Sequence, residues 1–344
     1  MGATMREVAA RAGVSVATVS RALSGSTLVA IEVRQRVQDV ADELGYVASR
    51  LPANLRAKNV RILALVVGNV RNAYFPELID GCGEAAHAAG YPLIFGDSNE
   101  DPGRESEILE QLALERVAGV ALATSAGMTE GLRRLLNLGI PVVAVDRRVA
   151  GVEIDTVTVG SHEGALAGVR HLVGLGHRRI GVISGPASLS TLAERLEGYR
   201  AGLEEAGIAL DASLVMPGDL TLDTARGLAR SLLRRQDRPT AVLCFNDLST
   251  LGALHGIRDA GLRVPRDVSL LGFDELPGAD LIDPPLTVIA QPVFDIGRSA
   301  IELLARRVSD PDVPVEELVL PTRLVMRAST AAPKVSDGEE VPRP

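Results

Sequence analysis

The hydrophobic positions of this chain follow two rhythms, and the change between them near residue 58 divides it. From Thr4 to Gly45 apolar residues recur at helical spacing. Thr4 and Glu7 form a T-x-x-E start, and Val8, Ala9 and Ala12 continue a first helix that Gly13 ends. Ser15 is placed to cap a second helix. On it Val19, Ala22 and Leu23 face inward, while Val16, Ala17, Ser20 and Arg21 point away. Val33, Val37, Val40, Ala41 and Leu44 predict a third helix before Gly45 stops it. Three such helices close a small core. Two short helices meeting at a glycine turn form a helix-turn-helix, whose second helix enters the major groove of DNA. An ordinary helical hairpin is the alternative reading of the same pattern.

Beyond Lys58, apolar runs alternate with amphipathic helices. The first run is V-R-I-L-A-L-V-V at 60–67, followed by a helix over about 75–89. Further strands are expected at 92–96, 118–123, 141–145, 180–184, 241–245, 268–273 and 286–290. Continuous apolar strands separated by helices define an α/β body with two parallel sheets, and a break falls at 158–161. Ligands of such sheets bind beyond the carboxyl ends of the strands, which here are polar: Asp97, Asp146, Asn246, Asp247 and Asp274.

With 344 residues, 46% of them hydrophobic and 23% charged, the chain has material for two or three cores. No apolar run reaches the roughly 18 residues of a membrane span, and no basic segment followed by an apolar one opens the chain. A cytoplasmic location without a membrane partner is therefore expected. Cys82 and Cys244 lie far apart in apolar settings, as buried reduced thiols do. The net charge of −8 is unevenly spread. Residues 1–58 carry eight basic and five acidic side chains, net +3, so the remainder is at −11. Charge that attracts phosphate is thus confined to the head.

The five histidines form no H-E-x-x-H, and neither a phosphate-binding G-x-x-x-x-G-K-[ST] nor a G-x-S-x-G elbow occurs. The G-C-G at 81–83 falls inside a helix pattern. The sequence thus predicts no enzyme, no cofactor and no metal.

The head motif V-A-x-x-A-G-V-S-x-x-T-V-S-R is followed in order by H-L-V-G-L-G-H-R-R-I (171–180), G-P (185–186), R-L-E-G-Y (195–199), F-N-D (245–247), L-G-F-D (271–274) and L-P-T-R-L-V-M-R (320–327). On these motifs the chain resembles the lac repressor/galactose repressor family from residue 4 to about 329. The resemblance implies a dimeric transcriptional regulator. Its body would be like periplasmic sugar-binding proteins, and its DNA affinity would respond to a small effector. The implied domains are a helix-turn-helix head (1–46), a hinge (47–59), a first lobe (60–160 and 291–322), a second lobe (161–290 and 323–330) and a disordered tail (331–344). That tail has no leucine heptads, so a dimer is expected. Its interface is expected near Phe75–Ala89 and Pro285–Gly297, and its operator would be pseudo-palindromic.

Carried over from the family, Val16, Ala17 and Arg21 meet base edges, whereas Thr4, Ser15, Thr18 and Ser20 bond phosphates. Arg21 can fork onto a guanine, and Val16 and Ala17 offer only apolar contact. Leu55 matches the hinge leucine that wedges into the minor groove. Several positions depart from the family pattern: Ala48 and Ser49 replace Pro-Asn, Pro52 replaces alanine, Ser24 replaces asparagine and Ala30 replaces a serine cap. With Pro52 confined to a first turn, the hinge helix is expected to begin at Leu51 or Pro52. For the effector the matching residues are Tyr74, Phe75, Asp146, Arg195, Asn246, Asp274 and Gln291, a set suited to sugar hydroxyls. Leu220 stands where relatives often carry an aromatic ring. Asn246 and Asp247 can also be read as caps of the following helix. Three other readings remain open: control by a sugar phosphate or nucleoside, control by a protein co-regulator, and a sugar-binding module without DNA activity.

Overall fold

The computed structural model describes residues 3–23, 26, 28–46 and 61–334, and the chain divides into two compact units at residues 60 and 61. The expectations for Leu55, Ser24, Ala48, Ser49, Pro52 and the hinge helix fall outside the described residues.

The first unit holds α1 (Met5–Ala12), α2 (Val16–Leu23) and α3 (Ile31–Glu43). The Thr4/Glu7 capping box is formed, with the Thr4 N–H donating to Glu7 Oε2 at 2.6 Å and the Glu7 N–H to Thr4 Oγ1 at 3.4 Å. Gly13 takes φ +67°, a left-handed turn that only glycine adopts without strain, and so ends α1. Ser15 caps α2 by accepting the Thr18 N–H at 3.1 Å. Val8, Val19 and Val37 are fully buried where the three helices meet. At the start of α3, Ala30 offers no side-chain bond to the free N–H groups.

The second unit contains two six-stranded sheets. The first is ordered β11-β5-β4-β3-β1-β2, from β1 (Leu63–Val67), β2 (Leu93–Asp97), β3 (Gly119–Leu122), β4 (Val142–Val145), β5 (Asp155–Val159) and β11 (Glu317–Leu320). The second is ordered β12-β10-β9-β8-β6-β7, from β6 (Ile180–Ser184), β7 (Val215–Pro217), β8 (Ala241–Cys244), β9 (Ser269–Phe273), β10 (Thr287–Ala290) and β12 (Arg323–Val325). The long apolar runs of the sequence are the central strands. β1, β3, β4, β6, β8 and β9 are buried at every residue because helices cover both sheet faces. In the first lobe, α4 (Tyr74–Ala88) packs on α11 (Val293–Ser309). Gly81 lets their backbones meet, since a Cβ there would stand 2.1 Å from the Phe294 carbonyl oxygen.

The chain passes between the sheets three times: at Gly160 between β5 and α7 (Ser161–Gly174), at Gln291–Pro292 between β10 and α11, and at Pro321–Thr322 between β11 and β12. The third passage departs from the purely parallel sheets expected. β12 pairs antiparallel with β10. It enters the second lobe directly from a strand end of the first, and so runs opposite to strands whose carboxyl ends face that junction.

The expected disordered tail also needs correction at its start. The Ala331 N–H donates to Ser269 Oγ at 3.0 Å, its carbonyl accepts from His177 Nε2 at 2.9 Å, and Lys334 pairs with Asp267. Residues 331–334 therefore belong to the body. Both cysteines are free and buried, and burial pushes the Cys82 thiol up to about 12. Among the described residues no helix is long and apolar enough to cross a membrane.

Candidate functional site

In the first unit, α2 presents Val16, Ala17, Ser20 and Arg21 on one exposed face, with Val16 42% exposed despite its apolar side chain. Its inward residues Val19 and Ala22 hold that face rigid against α1 and α3. Ser15 Oγ and Thr18 Oγ1 lie 2.8 Å apart at the helix start, and the Thr4 hydroxyl donates to Glu7 Oε2 at 2.9 Å. The structure thus brings Val16, Ala17, Ser20 and Arg21 together. It leaves Thr4 already engaged in its capping box.

In the second unit, strand ends from both sheets converge on a cavity of about 280 Å³ between the lobes. Asn69 follows β1, Glu100 follows β2, and Asp146 with Arg147 follow β4. Asn246, Asp274 and Gln291 follow β8, β9 and β10. The helix α8 (Ser190–Glu205) adds Thr191, Leu192 and Arg195. All seven residues expected from the sequence, Tyr74, Phe75, Asp146, Arg195, Asn246, Asp274 and Gln291, line this one cavity. Of the other polar strand ends, Asp97 instead accepts the Asn99 N–H at 3.0 Å in a turn, and Asp247 accepts the Ala73 N–H at 3.1 Å.

The backbone is unusual where it lines the cavity. Among the described residues six non-glycine positions have left-handed φ, and five of them line it: Asn99, Glu100, Asp146, Leu220 and Asp274. Asp274 stands at φ +76° and Asp146 at +67°. Such strain persists only where surrounding packing dictates it, and it concentrates at working sites.

The same cavity gathers polar atoms that lack partners. Eight buried side-chain polar atoms among the described residues have no hydrogen bond within the protein; Tyr74 Oη, Arg195 Nε, Asn246 Nδ2 and Gln291 Oε1 line this cavity, as does Arg147 Nε, which is instead ion-paired with Asp146 at 3.2 Å. Each such atom costs about 1–3 kcal/mol unless it is satisfied. Asn246 shows how two roles coexist: its Oδ1 caps α10 (Asp247–Asp259) by accepting the Ser249 N–H at 2.9 Å, while Nδ2 is left for the cavity. Arg195 donates to the Phe245 carbonyl and stacks 3.7 Å above the Phe273 ring, which fixes its guanidinium. Gln291 donates to Asp274 Oδ1. Tyr74 and Phe75 meet edge to face at 5.2 Å.

Charges in the wall are mutually compensated. Arg147, only 6% exposed, forks onto Glu100 at 2.7 and 2.8 Å, donates to the Thr124 carbonyl at 2.9 Å, and lies 3.2 Å from Asp146. Burial works against its charge, but the Glu100 carboxylate bonded to it and the nearby Asp146 raise its pKa above the ordinary value. Burial pushes the Asp274 carboxyl up to about 7. Arg195 opposes that rise, and Asp247 and Asp146 add to it. Burial likewise lifts the Tyr74 phenol well above its ordinary value, helped by Asp146 and Asp274.

Sequence reasoning missed Glu100 and Arg147. The signal for Arg147 was present, as a charged residue next to Asp146, which directly follows the apolar run V-V-A-V. Glu100 had none, because its place depends on a left-handed turn three residues beyond β2.

Such a cavity between two α/β lobes, with a separate helix-turn-helix unit, defines a ligand-responsive DNA-binding regulator. Residues 4–49 match the family model for bacterial regulatory proteins of the lacI family, and residues 169–330 match a periplasmic binding protein-like domain. Over 312 residues the chain is 33% identical to the HTH-type transcriptional repressor PurR of Vibrio atlanticus (strain LGP32), covering 90% of this chain and 93% of that one. The transcriptional regulator CelR in complex with cellobiose aligns at TM-score 0.73 and 33% identity, covering 95% and 99% of the two chains. The lac repressor dimer bound to operator and the anti-inducer ONPF aligns at TM-score 0.82 and 25% identity, covering 96% and 100%. The chain belongs to the lacI family of transcriptional regulators, with a DNA-binding head and an effector-binding body.

Proposed function

We propose that the chain is a dimeric repressor of a pseudo-palindromic operator, controlled by a small, polyhydroxylated effector of the sugar class. On this reading Val16, Ala17 and Arg21 meet base edges, Ser15, Thr18, Ser20 and Thr4 bond phosphates, and Leu55 enters the minor groove. Tyr74, Phe75, Asp146, Arg195, Asn246, Asp274 and Gln291 hold the effector. The observation that carries the effector reading is the ring of unpartnered donors and acceptors around one cavity. Sugar hydroxyls both donate and accept, so one ring can satisfy Arg195 Nε, Asn246 Nδ2 and Gln291 Oε1 together. The cellobiose bound by CelR is a relevant precedent. Leu220 in the cavity wall favours an effector that needs no ring stacking on that side.

The dimer is proposed to pair through the edge strand β2, where Ile94 is 43% and Phe95 60% exposed. That placement differs from the interface expected along α4 and residues 285–297. The apolar side of α4, with Leu78 and Cys82, is already covered by α11 within the lobe. An effector that binds one lobe arrangement about 100-fold better than the other would bias DNA binding by roughly 2.7 kcal/mol.

The test is thermal unfolding against ribose, cellobiose, other mono- and disaccharides, sugar phosphates and nucleosides, beside an Asp274→Asn control. At about 100 times Kd a ligand adds roughly 2.7 kcal/mol, which moves the melting point by several degrees. A shift with an unmodified sugar that the control loses supports the reading. A shift only with phosphorylated compounds or nucleosides replaces the effector class, and no shift overturns small-sugar control.

A further inference from the structure

A cluster outside the cavity joins the two lobes directly. Arg148 follows the cavity residues Asp146 and Arg147. It is anchored in the first lobe by Glu317 on β11, through Nε–H at 2.8 Å and Nη2–H at 2.5 Å. From that anchor Arg148 Nη1 donates to Glu194, on α8 of the second lobe. Its backbone N–H also donates to Ser190 Oγ, at the start of the same helix, at 2.9 Å. Both ends of the contact adjoin the cavity wall in sequence: residues 146–147 on one side, Thr191, Leu192 and Arg195 on the other.

We propose that Arg148, Glu194 and Ser190 form a latch that holds the two lobes closed and so positions Arg195 for the effector. None of the three lines the cavity. They are positioning residues that act by setting how often the lobes are closed. Glu317 makes the latch directional, because it keeps Arg148 with the first lobe whether or not α8 is in reach. Where only the closed arrangement binds well, apparent affinity scales with its population, and the latch tunes effector response without contacting the ligand. The ion pair is partly exposed, with side-chain exposures of 36% for Arg148 and 31% for Glu194, so salt weakens it.

This consequence for affinity rests on the effector reading of the cleft. The latch itself is tested without any effector, so the two can fail separately. Spin labels at Arg104→Cys and Asp223→Cys, on exposed positions of the first and second lobes, report the distance between lobes by pulsed electron resonance. Glu194→Gln should raise the long-distance fraction at least threefold at about 0.05 M salt, and Arg148→Ala should do the same. The double variant should add nothing further. In the unsubstituted background the long-distance fraction should grow between about 0.05 and 1 M salt, and in Glu194→Gln it should not. An unchanged distance distribution in both single variants overturns the latch. So does a salt response that survives Glu194→Gln, because a merely structural effect of the substitution would leave that response in place.

Discussion

The reading face of α2 and the cleft between the lobes solve opposite problems. On α2 the side chains offered to a partner stand on a regular helix with relaxed backbone. Its start is capped locally by Ser15, as the start of the neighbouring α1 is by Thr4 and Glu7. In the cleft, strand ends from both sheets meet, five lining residues are held at left-handed φ, and buried polar atoms without hydrogen-bond partners surround the space. A helix face can exchange Val16 or Ala17 at little cost to folding. The cleft cannot lose Arg147 so easily, because its charges exist in compensated sets.

The sharpest way to break this contrast is to remove such a charge. Arg147→Ala should destabilise the body by about 3–5 kcal/mol in denaturant unfolding, since the buried Asp146 and the half-buried Glu100 are left without it. A loss below about 1 kcal/mol would show that the cleft is as tolerant as the helix face.

A second probe uses pH. The folded pKa of Asp274, pushed up to about 7, lies above its ordinary value, so the native state holds a proton that the unfolded chain releases. Its stabilising contribution is full below about pH 4 and is lost as pH rises toward 7. Melting points of the unsubstituted protein and of Asp274→Asn should therefore differ in slope across that window, with the variant flatter. Asparagine tolerates the left-handed backbone at this position, so the comparison isolates the proton. Parallel slopes would sink the assignment.

On the head, Arg21→Ala should weaken specific operator binding by about 1–3 kcal/mol in an anisotropy titration and leave ligand-induced melting shifts unchanged. Operator affinity that does not move would remove Arg21 from the reading face. The smallest effect is expected at α3, where Ala30 provides no cap. Ala30→Ser should stabilise the head by about 1 kcal/mol, measured on its own unfolding transition.

The contrast also governs what could be read in advance. The head was legible because its determinants are local: a cap, a glycine turn and a 3.6-residue rhythm within forty-odd positions. The central strands were equally plain, as unbroken apolar runs. Asp146, Asn246 and Asp274 followed from the rule that parallel strands deliver ligands at their carboxyl ends, and Arg195 and Gln291 from family resemblance. Glu100 was invisible, because a turn geometry brings it to Arg147 across 47 positions of sequence. The docking of residues 331–334 was hidden for a related reason. A proline-containing polar tail gives no hint that buried His177 and Ser269 are waiting for the Ala331 backbone. The short strand β7 carries too few residues to show a rhythm at all.

Three crossings connect the lobes, and the bonds of Gly160 to Leu320 and Thr322 draw two of them side by side. A pair of bodies joined by one strand could swivel, tilt or drift apart. Three straps across a common seam leave one soft motion, a bend about the seam, and oppose twist and shear by tension in at least one strap. The body is in mechanical terms a hinge with a single axis. A ligand shifts the lobes about that axis only as far as it fits one angle better than another.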